Sequence, residues 1–108
     1  KEESQVGKTT STIGPIRWMA PESVSNQIYS TKSDVWMFGI ILYEITARQE
    51  PHIGEDILNV AIKIRDSGLT PTITNDCPLA LREIMEMCWQ MEPKIRPVSV
   101  RNCITWMQ

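Results

Sequence analysis

The sequence has too little histidine and cysteine, too widely scattered, to build a metal site or a disulfide framework. His52 is the single histidine, and Cys77, Cys88 and Cys103 are three cysteines with no CxxC pair among them. Zinc sites need closely spaced ligands, which one histidine and three distant thiols do not supply. The expectation is reduced cysteines packed as small apolar residues. Glycine is equally thin: Gly7, Gly14, Gly39, Gly54 and Gly68 lie too far apart for a GxGxxG loop over phosphates. No apolar run reaches the roughly 20 residues that cross a bilayer, and no signal peptide, repeat or low-complexity tract is present. A net charge of -2 with 22% charged residues gives no basis for binding nucleic acid or an anionic membrane. The 108 residues begin without Met, so the chain is expected to be a piece of a longer protein, able to bury one modest core.

What the sequence does have is one long apolar stretch, Ser33 to Ala47, SDVWMFGIILYEITA, broken after its first two residues only by Gly39, Glu44 and Thr46. It is longer than a buried strand and opens on Ser33-Asp34, a helix start, so it predicts a central helix enclosed by protein on nearly every side. Before it, Lys1 to Gly14 is polar and aperiodic and predicts a mobile loop. Pro15 and Pro21 hold Ile16 to Pro21 as ordered loop rather than helix. A short helix is expected from Pro21, ending before the polar residues 25–27.

Beyond the central stretch, Arg48 to Gly54 reads as loop. Ile57, Val60, Ala61 and Ile64 follow helical spacing and predict a helix from about Glu55 to Ser67, stopped by Gly68. Leu69 to Pro78 is a connecting loop. Leu81, Ile84, Met85 and Cys88 share a stripe on a helix from Leu79 to Gln90, and Met91 to Arg96 is a turn. Val100, Cys103, Ile104 and Met107 predict a last helix, Val98 to Met107. No alternating strand pattern occurs, so the fold class is all-α.

Three motifs carry a resemblance. WMAPES (Trp18 to Ser23), SDVWMFG (Ser33 to Gly39) and CWQMEPKIRP (Cys88 to Pro97) stand in the order and spacing seen in the C-terminal lobe of protein kinases. They are most similar to the tyrosine kinases and the tyrosine-kinase-like group. The likeness covers nearly the whole chain, from inside the activation loop to the last helix of the domain. It implies a helical lobe lacking the ATP-binding lobe and the catalytic loop. Phosphoryl transfer needs a Gly-rich loop, an ATP-pairing lysine, HRD and DFG, and none of these is in the chain. ATP and Mg2+ are therefore expected of the parent protein and of no residue here, and the isolated chain is expected to be inactive. Val60-Ala61-Ile62-Lys63 spells the ATP-lysine motif, but it falls in a helical pattern, where Lys63 is expected as an exposed helix residue.

The resemblance also implies roles for particular residues. Glu22 resembles the family glutamate that pairs with an arginine between the last two helices, here Arg96, held between Pro93 and Pro97; a guanidinium can grip a carboxylate with two bonds. Asp34 resembles the aspartate that accepts backbone N–H bonds from the catalytic loop, and alone it would serve only as a first-turn acid on the helix dipole. Pro15, Ile16, Arg17 and Trp18 lie where the family receives the substrate side chain. Pro15 offers an apolar wall to a tyrosine ring, whereas Gly14 is more typical of the tyrosine-kinase-like group. Thr9, Thr10, Ser11 and Thr12 sit in the activation-loop position as candidate phosphosites. The expected partners are a protein substrate and the remainder of the kinase domain, with no nucleic acid and no membrane segment in this chain. The expected location is the cytoplasmic side, free or below a membrane anchor. A pseudokinase scaffold and a serine/threonine-specific enzyme are the alternatives. With its upstream partners removed, the chain is expected to expose apolar surface and associate.

Overall fold

A computed structural model describes residues 15–108. Among these residues every regular element is helical: α1 (Pro21–Asn26), α2 (Thr31–Ala47), α3 (Ile57–Ser67), α4 (Leu79–Cys88) and α5 (Val100–Met107), with 3-10 turns at Ile16–Trp18 and Pro93–Ile95. The chain is all-α. Lys1 to Gly14, with the loop expected there and the Thr9 to Thr12 phosphosites, lies outside the described residues.

α2 is the centre. It packs against α4, α5 and both 3-10 turns, while α3 packs on α1 and on the Ile16–Trp18 turn. Val35, Leu42 and Tyr43 from α2 join Ile84, Met85 and Cys88 from α4, Cys103 from α5 and Cys77 in one core. A second cluster gathers Ala20, Trp36 and Ile40 against Trp18, and Trp89 packs on both clusters. All three cysteines are free and buried. Enclosure of α2 is less complete than the apolar stretch suggests, because Ile41 and Ile45 are exposed.

Several helix starts differ from expectation, and side-chain caps explain each difference. α2 begins at Thr31, not Ser33, because Ser30 is the N-cap: its hydroxyl accepts from the backbone N–H of Lys32 and Ser33, and Ser33 Oγ accepts from Ser30 N–H. α3 starts at Ile57 because Asp56 accepts from Asn59 N–H. α5 starts at Val100 because Ser99 accepts from Asn102 N–H, leaving Val98 outside.

The ends differ too. α1 runs through Asn26 because Gln27 adopts a left-handed conformation (φ 56°) and its N–H closes back on Glu22 and Ser23. α4 stops at Cys88, two residues early, where Trp89 departs from helical geometry to reach both clusters. Ile16–Trp18 winds into a 3-10 turn, the N–H of Trp18 reaching Pro15 O at 2.9 Å. On α5 the expected stripe is buried only at Cys103; Ile104 and Met107 are exposed.

Candidate functional site

Arg96 organises the best-defined polar site. The Pro93–Ile95 turn delivers its side chain into the molecule, where the side chain is 0% exposed and the facing Glu22 side chain 12%. Nη1 donates to Glu22 Oε2 at 2.8 Å and Nη2 to Glu22 Oε1 at 2.9 Å, a two-bond grip. The remaining donors reach backbone carbonyls: Nε to Gln90 at 2.7 Å, Nη1 to Lys32 at 3.0 Å and Nη2 to Met91 at 3.4 Å. The guanidinium also lies over the buried Trp36 ring, 5.1 Å from its centroid. Lys32 returns the tie, its Nζ donating to the carbonyls of Pro93 and Arg96 at 3.2 and 3.4 Å. One side chain thus joins α1, the start of α2 and the chain after α4, uniting residues 74 positions apart in sequence. Lys32 and Trp36 carried no sequence signal for this role.

The residues read as a substrate loop lie on the Ile16–Trp18 turn. Pro15 is exposed and Ile16 half-buried. Arg17 Nη2 donates to Glu55 O at 2.9 Å, so its side chain braces the loop before α3. Trp18 Nε1 donates to Glu44 Oε1 at 2.8 Å. Glu44, one of the few polar interruptions in the central stretch, therefore anchors the turn to α2. A lone acid inside an apolar helix was the signal, since a half-buried carboxylate requires a donor. Asp34 is exposed in the first turn of α2, and its carboxylate makes no hydrogen bond among the described residues. Lys63 is exposed on α3.

Tyr43, Gln49, His52, Glu55 and Leu69 to Thr72 line a cavity of about 330 Å³ beyond the C-terminal end of α2. His52 is buried with left-handed backbone (φ 53°), and its Nε2 has no partner among the described residues. Burial pushes its pKa below the ordinary 6.5; the Glu55 carboxylate opposes the fall and Arg17 adds to it. A group whose folded pKa is depressed binds its proton better when unfolded, so stability rises with pH. The contribution of His52 is held above pH 6.5 and lost as the pH falls below it. The urea midpoint is thus expected to fall between about pH 7.5 and about pH 5.5. His52→Phe, which has no proton to bind, should show a smaller fall in that window. Equal falls in both chains would place the acid sensitivity on other groups.

Among the described residues no group of three His, Cys, Asp or Glu could hold a metal ion. Lys63 lies on an exposed face of α3.

A family model described as protein tyrosine and serine/threonine kinase matches residues 1–105. The chain is 44% identical over 87 residues to the insulin receptor-related protein of Mus musculus, covering 80% of this chain and 7% of that protein. It is 44% identical over 84 residues to the insulin-like growth factor 1 receptor of Xenopus laevis, covering 77% and 6%. It is 37% identical over 98 residues to the mitogen-activated protein kinase kinase kinase mlk-1 of Caenorhabditis elegans, covering 91% and 9%. The chain therefore spans less than a tenth of the length of these relatives.

Proposed function

The chain belongs to the protein tyrosine and serine/threonine kinase family, and from that premise we propose that it forms part of the C-terminal lobe of an enzyme transferring the γ-phosphoryl group of ATP to protein hydroxyls. The observation that carries this reading is the Arg96–Glu22 grip, which ties the WMAPES segment to the CWQMEPKIRP segment. In phosphoryl transfer the protein mainly positions groups and stabilises charge, so a rigid lobe beneath the substrate is a functional part. Within it, Pro15 to Trp18 are the substrate-facing turn, and Glu22, Arg96 and Asp34 are positioning residues. Thr9 to Thr12 are candidate phosphosites of the activation loop. ATP and Mg2+ are bound by residues outside this chain, and the remainder of the domain and a protein substrate are its partners. No helix among the described residues is long and apolar enough to cross a membrane; a cytoplasmic-side location follows from the proposed chemistry.

Tyrosine is the proposed acceptor, because exposed Pro15 offers a rigid apolar wall to an aromatic ring. Serine/threonine specificity is the second reading, favoured by Gly14. The test is phosphoryl transfer by the full-length protein, with Mg-ATP, to matched peptides differing only in tyrosine, serine or threonine. Phosphotyrosine is expected. Transfer to serine or threonine alone would favour the second reading. No transfer, with HRD or DFG missing upstream, would make the lobe a scaffold.

A further inference from the structure

We propose that Cys88 and Cys103 form a redox site, a thiol pair that a small hydroperoxide converts to an intramolecular disulfide joining α4 to α5. Their sulfurs are 3.7 Å apart, and both residues are fully buried in the same core. The two thiols already share one S–H···S contact, so neither needs a new neighbour in order to react. A disulfide needs the sulfurs at about 2.05 Å, so closure asks for a relative shift of about 1.7 Å.

α5 can supply that shift. It is an eight-residue helix, Cys103 is its one buried residue, and Ile104, Trp106 and Met107 on it are exposed. Cys88, by contrast, is held between α2 and the rest of α4. Cys77 belongs to the same cluster, but its Sγ contacts Pro78 O at 3.5 Å and has no sulfur contact among the described residues.

The step balances. Cys103, as the thiolate, attacks a peroxide oxygen; the O–O bond breaks, water leaves and Cys103 becomes a sulfenic acid. Cys88 then attacks that sulfur, the S–S bond forms, the S–O bond breaks and a second water leaves. Two thiols lose two electrons and hydrogen peroxide gains them. Burial pushes both thiols up, while the contact from Cys88 favours the Cys103 thiolate against that rise, so the reaction is slow at neutral pH and faster in base. The bond would close a loop running from 88 to 103 that contains Arg96, so oxidation would clamp the turn that grips Glu22.

The test is treatment of the full chain with hydrogen peroxide at mildly alkaline pH, followed by non-reducing peptide mapping and thermal melting. The expected product has lost two hydrogens, links the Cys88 and Cys103 peptides, and leaves Cys77 alkylatable. Its melting midpoint should rise by roughly 5 °C or more, since each kcal/mol gained shifts a domain this size by about 4–8 °C. Cys77→Ser should react unchanged, and Cys103→Ala should give no intramolecular bond. Three thiols still free, a linkage to Cys77, a statistical mixture of pairs, a dimer linked between chains, or sulfinic acid alone would each overturn the proposal.

Discussion

Replacing Arg96 with methionine is expected to destabilise the chain by about 3–5 kcal/mol, because the Glu22 carboxylate would be left nearly buried without its counter-charge. The loss is large for a geometric reason. The five N–H donors of a guanidinium all have acceptors here: both Glu22 oxygens and the carbonyls of Gln90, Lys32 and Met91. Methionine satisfies none of them and also abandons the Trp36 ring. Against a typical total stability of about 5–15 kcal/mol, such a change unfolds a sizeable fraction of the protein.

Lysine at the same position tests whether the fork or the charge matters. Arg96→Lys keeps one positive charge but has three donors on a point-like ammonium, which cannot meet acceptors on four residues at once. Most of the loss should persist. Glu22→Gln preserves shape and leaves the cation buried without an anion, so a comparable loss is expected. Urea unfolding followed by far-UV circular dichroism measures all three. Losses under about 1 kcal/mol, the range of solvated ion pairs, would show that the grip is not holding the fold together.

The legible part of this molecule is the part written in local periodicity. The apolar stretch over 33–47 announced α2, and Val60 with Ile64, and Ile84 with Met85 and Cys88, announced the buried stripes of α3 and α4. Helix starts were two residues off at Ser30, Asp56 and Ser99 because a cap is polar and lies outside the apolar pattern. The Glu22–Arg96 pairing spans 74 positions and has no local signature; only the family motifs suggested it. Cys88 to Cys103 was invisible for the same reason, since the contact arises from the way α4 packs on α5. Full enclosure of α2 was overstated, because composition measures how apolar a helix is, not whether a neighbour covers each face. Ile41 and Ile45 remain exposed.

Gly39→Ala should destabilise the protein, although alanine is the better helix former by about 1 kcal/mol. Gly39 sits in α2 where α4 crosses it, and a Cβ there would lie 2.7 Å from Trp89 Nε1 and 2.9 Å from Cys88 Cβ. Both separations are below any ordinary contact, so something must move. Cys88 Cβ is bonded directly to the α4 backbone and cannot rotate away. Trp89 is packed against both hydrophobic clusters, and its indole N–H is buried without a partner among the described residues, so turning the ring would disturb both. The helix itself must therefore shift. Overpacking of this kind costs about 1–3 kcal/mol and sometimes more. With no flexible side-chain end to yield, the upper part of that range should apply, leaving a net loss of about 2 kcal/mol after the helix-propensity gain. Gly39→Val should cost more, as it adds bulk and loses propensity. Trp89→Leu combined with Gly39→Ala should be less destabilising than the sum of the singles, because the first change empties the space that the second needs. Thermal melting of the parent and these variants decides the matter: a Gly39→Ala chain as stable as the parent would mean that α2 and α4 are not in close contact.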